Sequence, residues 1–447
     1  MSINLPSVYQ NIKAQQIISY DYPITIEEGA SLFSYLPKKD TRFFWQTPDQ
    51  SITYYASGSC VDFPIDDSLP TRIATYRKQY LFHDIPTKVM GAYPFDLDDA
   101  RESKEFGSLA TGGFFIPRYL IEQTPEKTTV ILTTTAGDSF EELTQTFEQM
   151  AKHVYRRATV DGKNKLMLKQ EIGVRAWKET VQEAVDTIVK QHSPIKKIVL
   201  ARQMQILMYE PLQAQAVLTR LQAQQPNTYL FFYERKDYSF LGATPERLLA
   251  ATTEVVYTAA VAGSIARGKT LEEDVQFGQT LLDSAKNTHE HQIVVDRIIR
   301  ELQPFVDEVK IYDRTLLKNR DIQHLYAVIE GQRLPQLSFL EMIKQLHPTP
   351  ALGGEPKALA VKWIRDHEVI NRGLYGAPIG WVSLVADEGE FAVGIRSAVC
   401  HKNQAILYAG CGIVADSIPE EERQETQIKF QPMLRGILGD DASRNHD

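Results

Sequence analysis

What most limits the fold of this chain is the way its β-branched and aromatic runs follow one another. Phe43 to Trp45, a turn through Thr47, Pro48, Asp49 and Gln50, and Ile52 to Tyr55 read as a hairpin, and GGFFIPRYLI and TTVILTTT add two more strands. KKIVLARQMQIL reads as a strand, followed by strands at Thr228 to Tyr233, Tyr238 to Leu241 and Glu254 to Ala260. Three more are expected at Ile379 to Val385, Gly389 to Val399 and Gln404 to Tyr408. Helical spacing appears between Ser139 and Tyr155 through Phe140, Leu143, Phe147 and Met150, over Arg175 to Lys190, and as one long helix from Leu271 to Leu302. Helices therefore do not alternate strictly with strands, which disfavours a doubly wound parallel sheet. An α+β architecture of mostly antiparallel sheets with helices packed outside fits this order.

Hydrophobic residues make up 43% of the 447 residues and charged residues 24%, a balance that sets aside disordered, collagen-like and membrane classes. Three cysteines without CxxC spacing argue against a disulfide framework or a thiolate zinc site, so a cytoplasmic location is expected. No basic segment followed by an apolar stretch is read at the start, so neither export nor membrane anchoring is expected. With 49 Lys+Arg against 57 Asp+Glu the net charge is −8, which disfavours nucleic acid as a ligand. A small anionic substrate remains compatible, provided that a metal ion or a few placed cations reverse the field locally. P-loop, GxGxxG, GxSxG and HExxH motifs are all missing, which removes the usual support for nucleotide-driven, hydride-transfer and serine-hydrolase chemistry.

Side-chain alternation puts Lys197 on one face with Val199 and Ala201, while Ile198, Leu200 and Arg202 face the other way. A lysine desolvated there becomes a base, and one at a strand end simply reaches water. Glu246, after a Thr-Pro turn and before Leu248 and Leu249, is either an apolar-pocket acid or a helix-start glutamate. Glu290 sits at the edge of an apolar helical stripe. Ser417 and Glu420 read as a capping box opening a helix in which Glu422, Glu425 and Lys429 share a face, with Pro432 expected to kink or end it. Carboxylates from two helices suit magnesium, and a solvated acidic face is the alternative. Arg396, among apolar residues, calls for an anionic partner. Gly410 and Gly412 allow close backbone approach, and His347 opens a rigid turn-rich loop that can present a ring nitrogen.

The order KIVLAR, GATPERL, VAGSIARG, HEH, HPTPALGG, RGLYGAPIGW, GIRSA, AGCGIV and SxPxxExxET resembles the chorismate-binding enzyme family from about residue 170 to 435. Residues 1–155 resemble it more loosely, through FFWQTPDQ and GGFFIP. The resemblance implies one large chorismate-utilising fold over 1–447, with the motif-bearing catalytic region at 170–435. It implies that Lys197, where amine-transferring members carry glutamine, activates water, and that Ala262 stands where other members carry a lysine nucleophile. Isochorismate formation, of the menaquinone type, is then expected, with salicylate formation or a siderophore-pathway role as alternatives and a non-catalytic binder as the contrasting class. Carried over by residue, Lys197 is the base, Glu246 the acid, and Glu290, Glu422 and Glu425 the magnesium ligands. Gly263, Ser264, His347, Tyr375, Arg396, Gly410, Gly412 and Lys429 match substrate-binding positions. The implied partner is chorismate, with no glutaminase subunit, no nucleic acid and no membrane, in a monomer or homodimer.

Overall fold

The structure, a computed structural model, describes residues 17–24, 36–82, 87–99, 101–135, 138, 139, 141, 142, 145, 165–335 and 337–439. Its strands form one continuous, almost wholly antiparallel ladder, as the α+β expectation requires. The strand Lys197–Met208 pairs with Gln404–Ile413, and pairing continues through Ser397–His401, Tyr238–Thr244, Tyr229–Arg235 and Thr41–Gln46 to Thr53–Phe63 and Gly113–Gln123. From there it passes through Lys88–Ala92, Pro378–Ser383, Gly389–Val393 and Arg247–Ala251 to Val255–Ala266 and Ile322–Arg333. The ladder curls, so that strands far apart along it, Lys197–Met208 and Val255–Ala266, line one cavity.

Alternation divides the work of Lys197–Met208 as its sequence suggests. Lys197, Val199 and Ala201 face the cavity, and Ile198 and Leu200 enter the hydrophobic core with Trp177, Val181, Ala184 and Val185 of the helix Val174–Val189. Each such aliphatic side chain taken fully from water stabilises the fold by about 1.5–3 kcal/mol. The helix Ala285–Leu302 adds Val294, Val295, Ile298 and Leu302 to the same core.

Three boundaries differ from expectation. The long helix is two helices, Leu271–Asp283 and Ala285–Leu302, because Ser284 leaves helical geometry and its hydroxyl accepts from the Asn287 N–H as an N-cap. The run Gly389 to Val399 is two strands, Gly389–Val393 and Ser397–His401, separated at Arg396, whose φ is +49°. The last helix, Pro419–Leu438, starts after Ile418, so Ser417 is no N-cap, and its hydroxyl accepts instead from the Val414 N–H. It also continues past Pro432 rather than ending there, since burial of Pro432, Met433, Leu434 and Ile437 outweighs one lost backbone bond. The expected Ser139 to Tyr155 helix lies for the most part outside the described residues. Among those described, no helix is long and apolar enough to cross a membrane.

Candidate active site

One cavity gathers almost every candidate. Lys197, Glu246, Gly263, Ser264, Glu290, Tyr375, Arg396, Gly410, Gly412, Glu422, Glu425 and Lys429 all line it. Most of them arrive from five places: the Lys197–Met208 strand, the turn after Tyr238–Thr244, the bulged strand Val255–Ala266, the start of Ala285–Leu302, and the paired Gln404–Ile413 strand with the helix that follows.

Lys197, only 5% exposed, donates to Glu290 Oε1 at 2.6 Å. A glycine on the neighbouring strand, Gly412, explains how so long a side chain fits. A Cβ on Gly412 would lie 2.5 Å from Lys197 Cε and 3.1 Å from Nζ, so only the bare backbone leaves room. Gly410 does the same for Tyr375, whose hydroxyl would be 2.9 Å from a Cβ there. Burial pushes the Glu290 carboxyl up, but the attraction and hydrogen bond of Lys197, helped by Lys429 and Lys286, hold it below the usual carboxylate range. Lys429 donates to Glu425 Oε1 at 2.6 Å and to the Gly410 carbonyl at 2.9 Å, tying the last helix to the glycine strand.

Glu246 behaves differently. Burial raises its carboxyl to about 7, against the smaller opposing pull of Arg396, Lys197 and Lys429. Such a group holds a proton near neutrality and can give it up to a leaving group. Glu422 is also raised, by burial and by the neighbouring charge of Glu425, while a hydrogen bond with Ser417 opposes the rise.

Ser264 and Arg396 meet through a residue that no sequence motif marks. His324 Nδ1 lies 2.7 Å from Ser264 Oγ, and Arg396 Nη2 lies 3.4 Å from His324 Nε2. The guanidinium donates, so Nε2 accepts, the ring is neutral, and its Nδ1–H donates to Ser264. That leaves the serine hydrogen free to point at a ligand. Burial, with Arg396 and Lys429 nearby, keeps the ring far below its usual pKa. The signal that would have found it is the alternation in the unpredicted strand Ile322–Arg333, where His324 stands directly opposite Ser264.

His347 is the one candidate that the fold places elsewhere. Its ring packs edge-on against Phe95 at 5.6 Å, and its Nε2–H donates to the Phe95 carbonyl at 2.8 Å. Burial lowers it to about 3, so the ring is neutral, and among the described residues its Nδ1 has no hydrogen-bond partner. The loop it opens reaches the cavity through Ala351 and Leu352 instead.

For a metal, the donor set is chemically suitable, since three carboxylates from two helices face one cavity. Glu422 is raised first by burial and then by the charge of Glu425, and a divalent cation would offset both. Among the described residues, however, no three His, Cys, Asp or Glu side chains already converge on one point. Glu290 and Glu425 are turned to their lysines.

Residues 4–438 match the family model described as chorismate binding enzyme. The chain is 33% identical to isochorismate synthase MenF of Bacillus subtilis over 446 residues, covering 95% of this chain and 94% of that protein. It is 40% identical to the salicylate biosynthesis isochorismate synthase of Pseudomonas aeruginosa over 264 residues, 59% of this chain and 55% of that one. The structure of MenF, the menaquinone-specific isochorismate synthase of Escherichia coli, superposes with a TM-score of 0.81 at 26% identity, covering 96% of both chains. Anthranilate synthase component I of Streptococcus pneumoniae shares the fold, with a TM-score of 0.72 at 22% identity over 96% of each chain. This chain belongs to the chorismate-binding enzyme family.

Proposed function

We propose that the chain is an isochorismate synthase, an isomerase that moves the hydroxyl of chorismate from C4 to C2, serving menaquinone formation. The observation that carries the chemistry is the pairing, in one cavity, of a buried lysine with a separate carboxyl raised to about 7. Lys197, after releasing a proton to solvent, takes a proton from the water that attacks C2, while Glu290 stays ionised. Glu246 protonates the C4 hydroxyl, which leaves as water. One water enters and one departs, and in the reverse direction the two residues exchange roles. Arg396 and Tyr375 receive the enolpyruvyl carboxylate, with Ser264 donating the hydrogen that His324 leaves free. Magnesium held by Glu290 and Glu425, with Glu422 contributing directly or through water, would supply the positive charge for the ring carboxylate.

With water as nucleophile, the enzyme needs no glutaminase subunit, and it acts in the cytoplasm as a monomer or homodimer. The purified chain with magnesium and chorismate is expected to yield isochorismate by chromatography. A lactate-dehydrogenase coupling for pyruvate separates this from salicylate formation: a pyruvate signal reassigns the enzyme, and no turnover at all sinks the proposal.

A further inference from the structure

A second cleft, of about 600 Å³, lies away from the catalytic cavity and shares no lining residue with it. Arg220, Arg267, Lys318 and Arg320 line it, with Asn319 and Gln224, and among the described residues no Asp or Glu does. In a chain of net charge −8 such a surface is against the average.

The charge balance there is incomplete. Arg267 and Lys318 share a single carboxylate, Asp274, at 2.5 and 2.9 Å. Arg220 donates only to carbonyls, those of Gly436 at 2.6 Å and Ile437 at 3.2 Å. Burial pushes its guanidinium down, and among the described residues no anion offsets the cost. Among the described residues, Arg220, Arg267 and Lys318 thus have one carboxylate between them. The nearby Asp321 is already taken by Arg435.

The second observation is polar. Asn319 is 9% exposed, and among the described residues both its amide nitrogen and its amide oxygen are buried without a hydrogen-bond partner. Gln224 Oε1 is in the same condition. Buried amides left open in this way are uncommon, and they need a ligand or water to complete them. A guanidinium, an ammonium and an amide lining one cleft are groups that can bind an oxyanion. The cleft is also large enough for a metabolite.

We propose that this cleft is a second binding site, for a small metabolite or ion bearing a phosphate or carboxylate group, held by Arg220, Lys318 and Asn319. Its location gives it a route to the catalytic cavity. Arg267 follows the strand that carries Ser264, Asn319 shortly precedes the strand that carries His324, and Gly436 and Ile437 end the helix that carries Glu422, Glu425 and Lys429.

Calorimetric titration of the full chain with inorganic phosphate, and separately with succinate, tests this without any turnover, so it stands or falls apart from the proposed activity. Saturable binding of either ion is expected, and the one that binds identifies the chemistry. Lys318→Gln, which leaves the Arg267–Asp274 pair in place, and Arg220→Gln are each expected to weaken it about tenfold or more. Arg396→Lys, in the other cavity, should retain it. Circular dichroism confirms that each variant is folded. Absence of saturation, equal binding in both cleft variants, or loss in Arg396→Lys overturns the proposal.

Discussion

Two sets of buried charges lie close together in this protein, and they are handled in opposite ways. Arg372 grips Glu368 through two bonds, at 2.6 and 2.9 Å, and spends its other donors on the carbonyls of Leu352 and Val199. Glu368 also accepts the Ala201 N–H at 2.6 Å, so every strong group has a partner. Glu246 and Arg396 are equally buried, yet among the described residues Glu246 forms no ion pair and Arg396 reaches only the neutral His324. The satisfied pair fixes the backbone of the strand that carries Lys197. The unsatisfied pair keeps its capacity for a substrate. Burial alone therefore does not mark function; at Glu246 and Arg396 it comes with bonding capacity left for a ligand.

The largest effect is expected from Lys197→Ala, which should lower kcat about 10²–10⁴-fold, as loss of a general base should, and also lower the unfolding midpoint because Glu290 loses its ion-pair partner. Glu368→Gln should cost stability and spare the chemistry. Leaving Arg372 unpaired should cost about 3–5 kcal/mol in denaturant unfolding, while any enzyme that remains folded still turns over. A third test uses pH. The folded Glu246 holds its proton to about 7, above its unfolded value near 4.5, so the folded state binds more protons in that window and this group's contribution to stability falls as pH rises through it. Glu246→Gln, neutral throughout, should then be more stable than the wild type at pH 8, by up to about 3 kcal/mol, while losing activity. Equal unfolding midpoints for the two proteins across pH 4 to 8 would contradict the raised carboxyl. The smallest effect is expected from Gly412→Ala, whose methyl displaces Lys197. A roughly tenfold fall in kcat with KM kept would match a misplaced base, and unchanged kinetics would show that the lysine has room to move.

Most of the ladder was legible, because alternation in KIVLARQMQIL, FFIPRYLI and AILYAGCGI states both the strand and its buried face. What failed were features decided at a distance. Ser284 is an ordinary helical residue until its hydroxyl caps Asn287, and Pro432 is a helix breaker until the core carries the helix past it. The strands Val306–Ile311, Thr315–Lys318 and Ile322–Arg333 went unread, and His324 with them. Within the site, the positions carried by motif order came together in one cavity, apart from His347. A histidine in a turn-rich loop gives no local sign of which carbonyl it will choose, and here Phe95 supplies it from 252 residues away.

The break at Ser284 also has an electrostatic meaning. Lys286, Asn287 and Glu290, all within the first turns of Ala285–Leu302, line the catalytic cavity, so the amino end of that helix opens onto it. Its aligned peptide dipoles place the equivalent of about half a positive elementary charge there. An unbroken helix would have left that field at Leu271, several turns upstream. One serine hydroxyl thus turns a stretch of backbone into a fixed attraction for an anion, independent of pH and of any side chain's ionisation.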